Sequence, residues 1–123
     1  MLKKLLQLGE YALNVYNVQY VHWQDDEVRG NGFWLKAVVT NRRVLIFPDS
    51  NFRAGNADVI HPANIARVWN VCLRGHDGIM MVLRDGRRMY MLVDWSQGSK
   101  LARDINSMLT PPAKPRISPR LPN

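Results

Sequence analysis

A single cysteine, Cys72, is all the thiol chemistry this 123-residue chain carries. It cannot bridge internally, so a disulfide scaffold is excluded, a thiolate metal site goes with it, and a reducing cytoplasm is the expected setting. Long apolar runs are missing too. The start Met1-Leu2-Lys3-Lys4-Leu5-Leu6-Gln7-Leu8-Gly9-Glu10 sets two lysines before a few leucines, but that run is too short for a secretory core and ends at Glu10. No stretch approaches the length of a membrane span, and the chain reads as one soluble domain. Acid is the scarcer charge: 10 Asp and Glu stand against 17 Lys and Arg, a net +7. Such a balance attracts nucleic acid or anionic lipid whatever the fold. Three of those seven excess charges, Lys114, Arg116 and Arg120, lie in a final stretch without acid, which leaves an ordinary surplus (7 − 3 = 4) on the rest.

Catalytic constellations are also lacking. His22, His61 and His76 are widely spaced and sit at no ligand interval from one another or from an acid, so each is expected to be structural. No carboxylate pair suggests acid–base work, and there is no Gly-rich phosphate loop and no Ser-His-Asp arrangement. Cys72 lies inside an apolar strand with Arg74 as its nearest cation, the setting of a small buried hydrophobe rather than a nucleophile. The sequence therefore implies no enzyme, no catalytic residue, no cofactor and no metal site.

What the chain does have is enough apolar residue, 46%, to fold around one core, and strand patterning along most of its length. Residues 2–13 are expected to form a short helix with Leu2, Leu5 and Leu6 on one face. Val15 to Trp23 then alternates, with Tyr16, Val18 and Tyr20 on one side, as a half-buried strand does. Gln24-Asp25-Asp26-Glu27 and Gly30-Asn31-Gly32 read as a loop. Phe33–Val39 and Arg43–Phe47 are strands around a Thr40-Asn41-Arg42 hairpin. Residues 48–58 read as a surface loop, Val59-Ile60 as a short strand and His61-Pro62-Ala63-Asn64 as a turn. Ile65–Leu73, Ile79–Leu83 and Met89–Val93 supply three more strands, the last two joined by Asp85-Gly86, a pair that favours a two-residue turn with positive φ. Asp94 and Gln97 have capping-box spacing before a helix carrying Leu101, Ala102, Ile105, Met108 and Leu109 on one face. Thr110-Pro111-Pro112 stops it. The expected organisation is one domain over 1–109 and a disordered, Pro-rich, basic tail over 110–123.

The segment from Gly32 through Thr40-Asn41-Arg42-Arg43 to Phe47 resembles the "glycine, hydrophobic strand, Thr-Asn-Arg-Arg, hydrophobic strand" signature of GRAM and bacterial pleckstrin-homology (PH-like) domains. Glu10 is placed like the acid before their first strand, and Ile60-His61-Pro62-Ala63-Asn64-Ile65 is similar to their step into a new strand. The match spans roughly residues 8 to 109. It implies a mainly β fold, a partly open barrel of two near-orthogonal antiparallel sheets of about seven strands, plugged by one C-terminal helix. It implies binding of lipids, peptides or partner subunits, and it does not imply catalysis. Family members that read phosphoinositides present Lys and Arg in the loop between their first two strands. Here that loop holds Asp25, Asp26 and Glu27 against Arg29, which would repel phosphate.

Arg42, Arg43, Arg84, Arg87 and Arg88 are the candidate anion- or partner-binding residues, a basic rim at hairpin ends, against the plainer reading of solvated turns. Met80, Met81, Met89 and Met91 are expected to fill the core, or else to line an adaptable groove. Trp23, Trp34, Trp69 and Trp95 are expected to contribute buried area; the alternative is a base-stacking surface with Lys36. The resulting expectation is a non-catalytic interaction module that binds a protein partner, or its own copies as a homo-oligomer, through a strand edge or the hairpin rim. Peripheral binding to an anionic membrane through the basic hairpins and tail is the alternative, and non-specific nucleic-acid binding is the weaker one.

Overall fold

In a computed structural model of the protein, the described residues are 5–24, 27–30, 32–48 and 57–109; the expected tail over 110–123, the first four residues, Asp25 and Asp26 of the expected acidic loop, and residues 49–56 of the expected surface loop lie outside them. Eight antiparallel strands make one sheet: β1 (Ala12–Gln24), β2 (Glu27–Gly30), β3 (Leu35–Thr40), β4 (Val44–Phe47), β5 (Asp58–Ile60), β6 (Ile65–Leu73), β7 (His76–Leu83) and β8 (Arg88–Val93). Helix α1 (Gly98–Met108) follows. Hydrogen-bonded neighbours run β5-β4-β3-β1-β8-β7-β6, with β2 on the far end of β1.

The 13-residue β1 joins the two halves. Its first part pairs with β3, Val15 opposite Val38, and from Val18 to Tyr20 it pairs with β8. The strands at the two ends of the path, β5 and β6, do not pair with each other, so the sheet is not closed. A mainly β fold with an open barrel-like sheet and one C-terminal helix is the architecture consistent with a PH-like domain.

Alternation explains the core. Tyr16 and Val18, Ala37 and Val39, Val44 and Ile46, Ile79 and Met81, and Met91 and Val93 point inward from five strands onto Leu101, Ala102 and Ile105 of α1. Each large side chain removed from water contributes on the order of 1.5–3 kcal/mol. Polar side chains then fix the helix. Asp104 accepts bonds from Asn14 Nδ2 at 2.8 Å and from the Tyr16 hydroxyl, both on β1. Burial, and then Asp104 beside it, pushes the Tyr16 phenol well above its ordinary range. On the other side, the Asn106 carboxamide accepts from Val68 N at 2.9 Å and donates to Val68 O at 2.8 Å. Val68 lies on β6, an end strand whose outward backbone groups lack a strand neighbour, and Asn106 takes that neighbour's place.

Several local expectations are corrected. Of the helix expected over 2–13, residues 2–4 lie outside the described residues; Leu5 is helical, but the helix does not run on to 13, because Leu8-Gly9 is a turn and strand starts at Ala12, where pairing with Thr40 supersedes a marginal isolated helix. Glu27–Gly30, read as loop, is β2, held by a backbone ladder that runs from Gln24 opposite Glu27 to Val21 opposite Gly30. The Asp94–Gln97 capping box is absent. Asp94–Ser96 is a single 3-10 turn with Trp95 and Ser96 at φ of 61° and 55°, and the start of α1 is capped from β7, Gly98 N donating to Asp77 Oδ2 at 2.6 Å. The Asp85-Gly86 link is a three-residue loop rather than a two-residue one. Leu83 N bonds Arg87 O and Gly86 N bonds Leu83 O, and in this loop only Gly86 has positive φ, +92°. The two-residue turn with positive φ throughout lies one hairpin earlier, at Arg74 (54°) and Gly75 (81°), with Leu73 opposite His76.

Candidate functional site

The five candidate arginines divide into two groups. Arg42 and Arg43 belong to the β3–β4 turn, which the register sets beside Ala12 at the beginning of β1. Arg84, Arg87 and Arg88 belong to the β7–β8 turn, and β8 runs beside the later part of β1, Met91 opposite Tyr20. Of the first group, Arg43 is committed internally. Arg43 donates through Nε to Glu10 Oε2 and through a terminal nitrogen to Glu10 Oε1, both at 2.9 Å, and also reaches Leu5 O at 3.0 Å. Thr40, fully buried, adds a 2.6 Å bond from its hydroxyl to Glu10 Oε2. Burial pushes the Glu10 carboxyl up, but the Arg43 guanidinium, the Thr40 hydroxyl and the Gln7 amide outweigh it and hold the pKa at about 2. Arg43 is thus part of the framework, and exposed Arg42 is the member of that pair left at the surface.

The second group faces solvent. Arg84, Arg87 and Arg88 are all exposed, and among the described residues Arg84 and Arg88 form no ion pair. Arg87 folds back on Asp85, its amide to Oδ1 at 2.9 Å and its Nε to Oδ2 at 2.7 Å. Those two contacts hold the Asp85 carboxyl below its usual value. The turn is anchored by Arg84 N, which bonds Asn64 O at 2.9 Å in the 3-10 turn Pro62–Asn64. Between this turn, β5 and residue 64 lies a cleft of about 620 Å³. Val59, Ile60, Leu83 and Met89 give it an apolar lining, and its polar edge is Asn64, Arg84 and the Arg87–Asp85 pair, which leaves one net positive charge from Arg84. Volume and lining suit a short amphiphilic segment bearing an anionic group.

Tryptophan burial, the expected role, is corrected. Trp34, Trp69 and Trp95 are 47%, 44% and 76% exposed, and the side chain of Trp23 is outside the described set. Trp69 points outward because its neighbour Val68 takes the inward position, and the Arg67 guanidinium lies over its ring at 4.1 Å from the centroid. Lys36 is not with Trp69: its Nζ bonds Asn17 Oδ1 at 2.6 Å across β1 and β3. The methionines divide by strand parity, Met81 and Met91 fully buried, Met89 packed against the core and Met80 on the outward face. Cys72 is exposed, not buried. His22, His61 and His76 are exposed as well. Among the described residues, no His, Cys, Asp and Glu form a group able to hold a metal ion, and no helix is long and apolar enough to cross a membrane.

No protein-family model and no curated protein sequence matches the chain. Among solved structures it is similar to the C-terminal domain of an unknown protein from Leishmania infantum, at 12% identity and a TM-score of 0.58, over 82% of this chain and 85% of that one. At that identity the likeness is one of fold alone.

Proposed function

We propose that this PH-like, GRAM-related domain is a non-catalytic interaction module that holds an acidic, partly apolar segment of a protein partner at the β7–β8 turn. The observation that carries the reading is the cleft beside that turn, lined by Ile60, Leu83 and Met89, by Arg84, and by Arg87 with its neighbour Asp85. Guanidinium groups recognise carboxylate through paired donors, and the apolar lining rewards a side chain beside the acid. Two features favour the turn over a strand edge. β6 is occupied at Val68 by Asn106, and β5 at the other end of the sheet is three residues long.

The second reading, peripheral attachment to an anionic membrane, has the exposure of Arg84, Arg87 and Arg88 on one turn in its favour. Both are tested by one titration of the full chain, with acidic peptides bearing a leucine or phenylalanine beside the acid, and with phosphatidylglycerol vesicles. Peptide binding that depends on the apolar side chain and is lost in R84Q/R87Q supports the protein partner. Vesicle binding that tracks only total charge, with no peptide preference, replaces it by the membrane.

A further inference from the structure

The outward face of β6, β7 and β8 breaks the pattern of a sheet that turns polar residues to water. Its register gives three cross-strand rows: Arg67–Val82–Arg88, Trp69–Met80–Tyr90 and Val71–Gly78–Leu92. The alternate residues Val68, Ile79, Met81 and Met91 are buried in the core, which fixes these rows as outward. Not one of the nine positions is acidic. Gly78 is required where it stands, since a Cβ there would lie 2.6 Å from Met91 O and 2.8 Å from Leu73 Cδ1. Its absence of a side chain leaves room for Leu73, which is buried over it and ends the open part of the face on that side.

We infer that this face binds single-stranded nucleic acid, with phosphates along the Arg67–Arg88 row and bases against the Trp69–Tyr90 row. The rows are two residues apart along each strand, about 6.6–6.8 Å at the usual rise, so a strand of nucleic acid crossing β6, β7 and β8 keeps its backbone on one row and its bases on the next. The Arg67 guanidinium covers one face of the Trp69 ring, so a base meets the ring's other face or the planar outer side of the guanidinium. The charge pattern selects the occupant. Two copies of this chain placed face to face would oppose arginine to arginine with no acid between them. An acidic peptide would answer the arginines but brings no base to stack on the Trp69–Tyr90 row, and a duplex offers phosphate while its bases stay stacked on one another. The surface is separate from the cleft beyond the β7–β8 turn and rests on different residues.

The test uses the full chain and fluorescence anisotropy with labelled dT15 and U15, the matching duplex and polyglutamate as probes, each at several salt concentrations. The single strands are expected to bind more tightly than duplex or polyglutamate. Trp69→Ala with Tyr90→Ala should weaken them by roughly five- to a hundredfold for each lost stacking contact. R67Q/R88Q, which alters two exposed side chains and leaves the rings in place, should reduce the slope of log affinity on log salt by about 1.4, at 0.7 per phosphate contact. R84Q/R87Q should change the single-strand affinity little. Positive charge in residues 111–123 is common to every variant and cancels in these differences. Absence of single-strand binding, equal binding of duplex, or tighter binding of polyglutamate would overturn the inference, as would affinity that both double variants leave unchanged.

Discussion

Two turns of this domain, β3–β4 and β7–β8, each carry adjacent arginines, and the structure treats them oppositely. At β3–β4 a buried carboxylate thirty-three residues upstream, Glu10, takes two bonds from Arg43, and that side chain is mostly covered. At β7–β8 the nearest acid is Asp85 in the same turn, itself exposed, and Arg84 and Arg88 have no carboxylate among the described residues. An arginine beside a turn is therefore a binding candidate only after the interior acids have been accounted for. A guanidinium that neutralises a buried carboxylate holds the fold together; one that faces water is available to a partner.

The largest test of this contrast is Arg43→Met. Removing one member of a buried, hydrogen-bonded pair leaves Glu10 uncompensated, and a loss of about 3–5 kcal/mol is expected in urea unfolding. A loss under about 1 kcal/mol would mean that the two turns do not differ. The same pair predicts an acid limb. Glu10 has a folded pKa of about 2 against an ordinary 4.5, a depressed value. Its stabilisation is thus complete above pH 4.5 and is lost as pH falls through 4.5 toward 2. Urea midpoints of the native protein and R43M should converge over that interval; a constant gap would show that the pair is not its source.

Gly86→Val probes the scaffold of the open turn. A Cβ at residue 86 meets nothing within 4 Å, so the cost is all backbone, φ being +92°, and about 1–2 kcal/mol should be lost. An unchanged melting temperature would require another turn geometry. The smallest stability effect is expected from R84Q/R87Q/R88Q, within about 0.5 kcal/mol because exposed charges contribute little to folding. Its signature is instead a fall in affinity for anionic probes, steepest at low salt. A variant that unfolded would move these arginines into the class of Arg43.

The sheet was legible wherever burial is one-sided. Tyr16, Val18 and Tyr20 alternate, as do the inward residues of β3, β4, β7 and β8, and each of those strands was found within a few residues of its ends. What escaped was structure set by distant partners. β2 is polar and ends in glycine, and only pairing with the extension of β1 makes it a strand. The cap of α1 comes from Asp77 on β7, so the local Asp94–Gln97 spacing pointed to the wrong donor. At the candidate site, sequence pattern could find the arginines but not their fate, because Glu10 meets Arg43 only through the fold. The outward Trp69–Met80–Tyr90 row was hidden for a related reason: a residue that is apolar on both sides of a strand reads as core until the register shows which side the core occupies.

The clasp of Asn106 on Val68 has a consequence for how the chain is made. Its two residues are 38 positions apart, so on a ribosome adding about 5–20 residues per second the edge of β6 waits roughly 2–8 s for the side chain that covers it. Until Asn106 is made, Val68 presents a bare amide and carbonyl to any passing strand, and nascent neighbours on one message are the closest source of them. The helix therefore acts as a late chaperone carried in the same polypeptide. Chains halted before residue 106 should clump where finished ones do not.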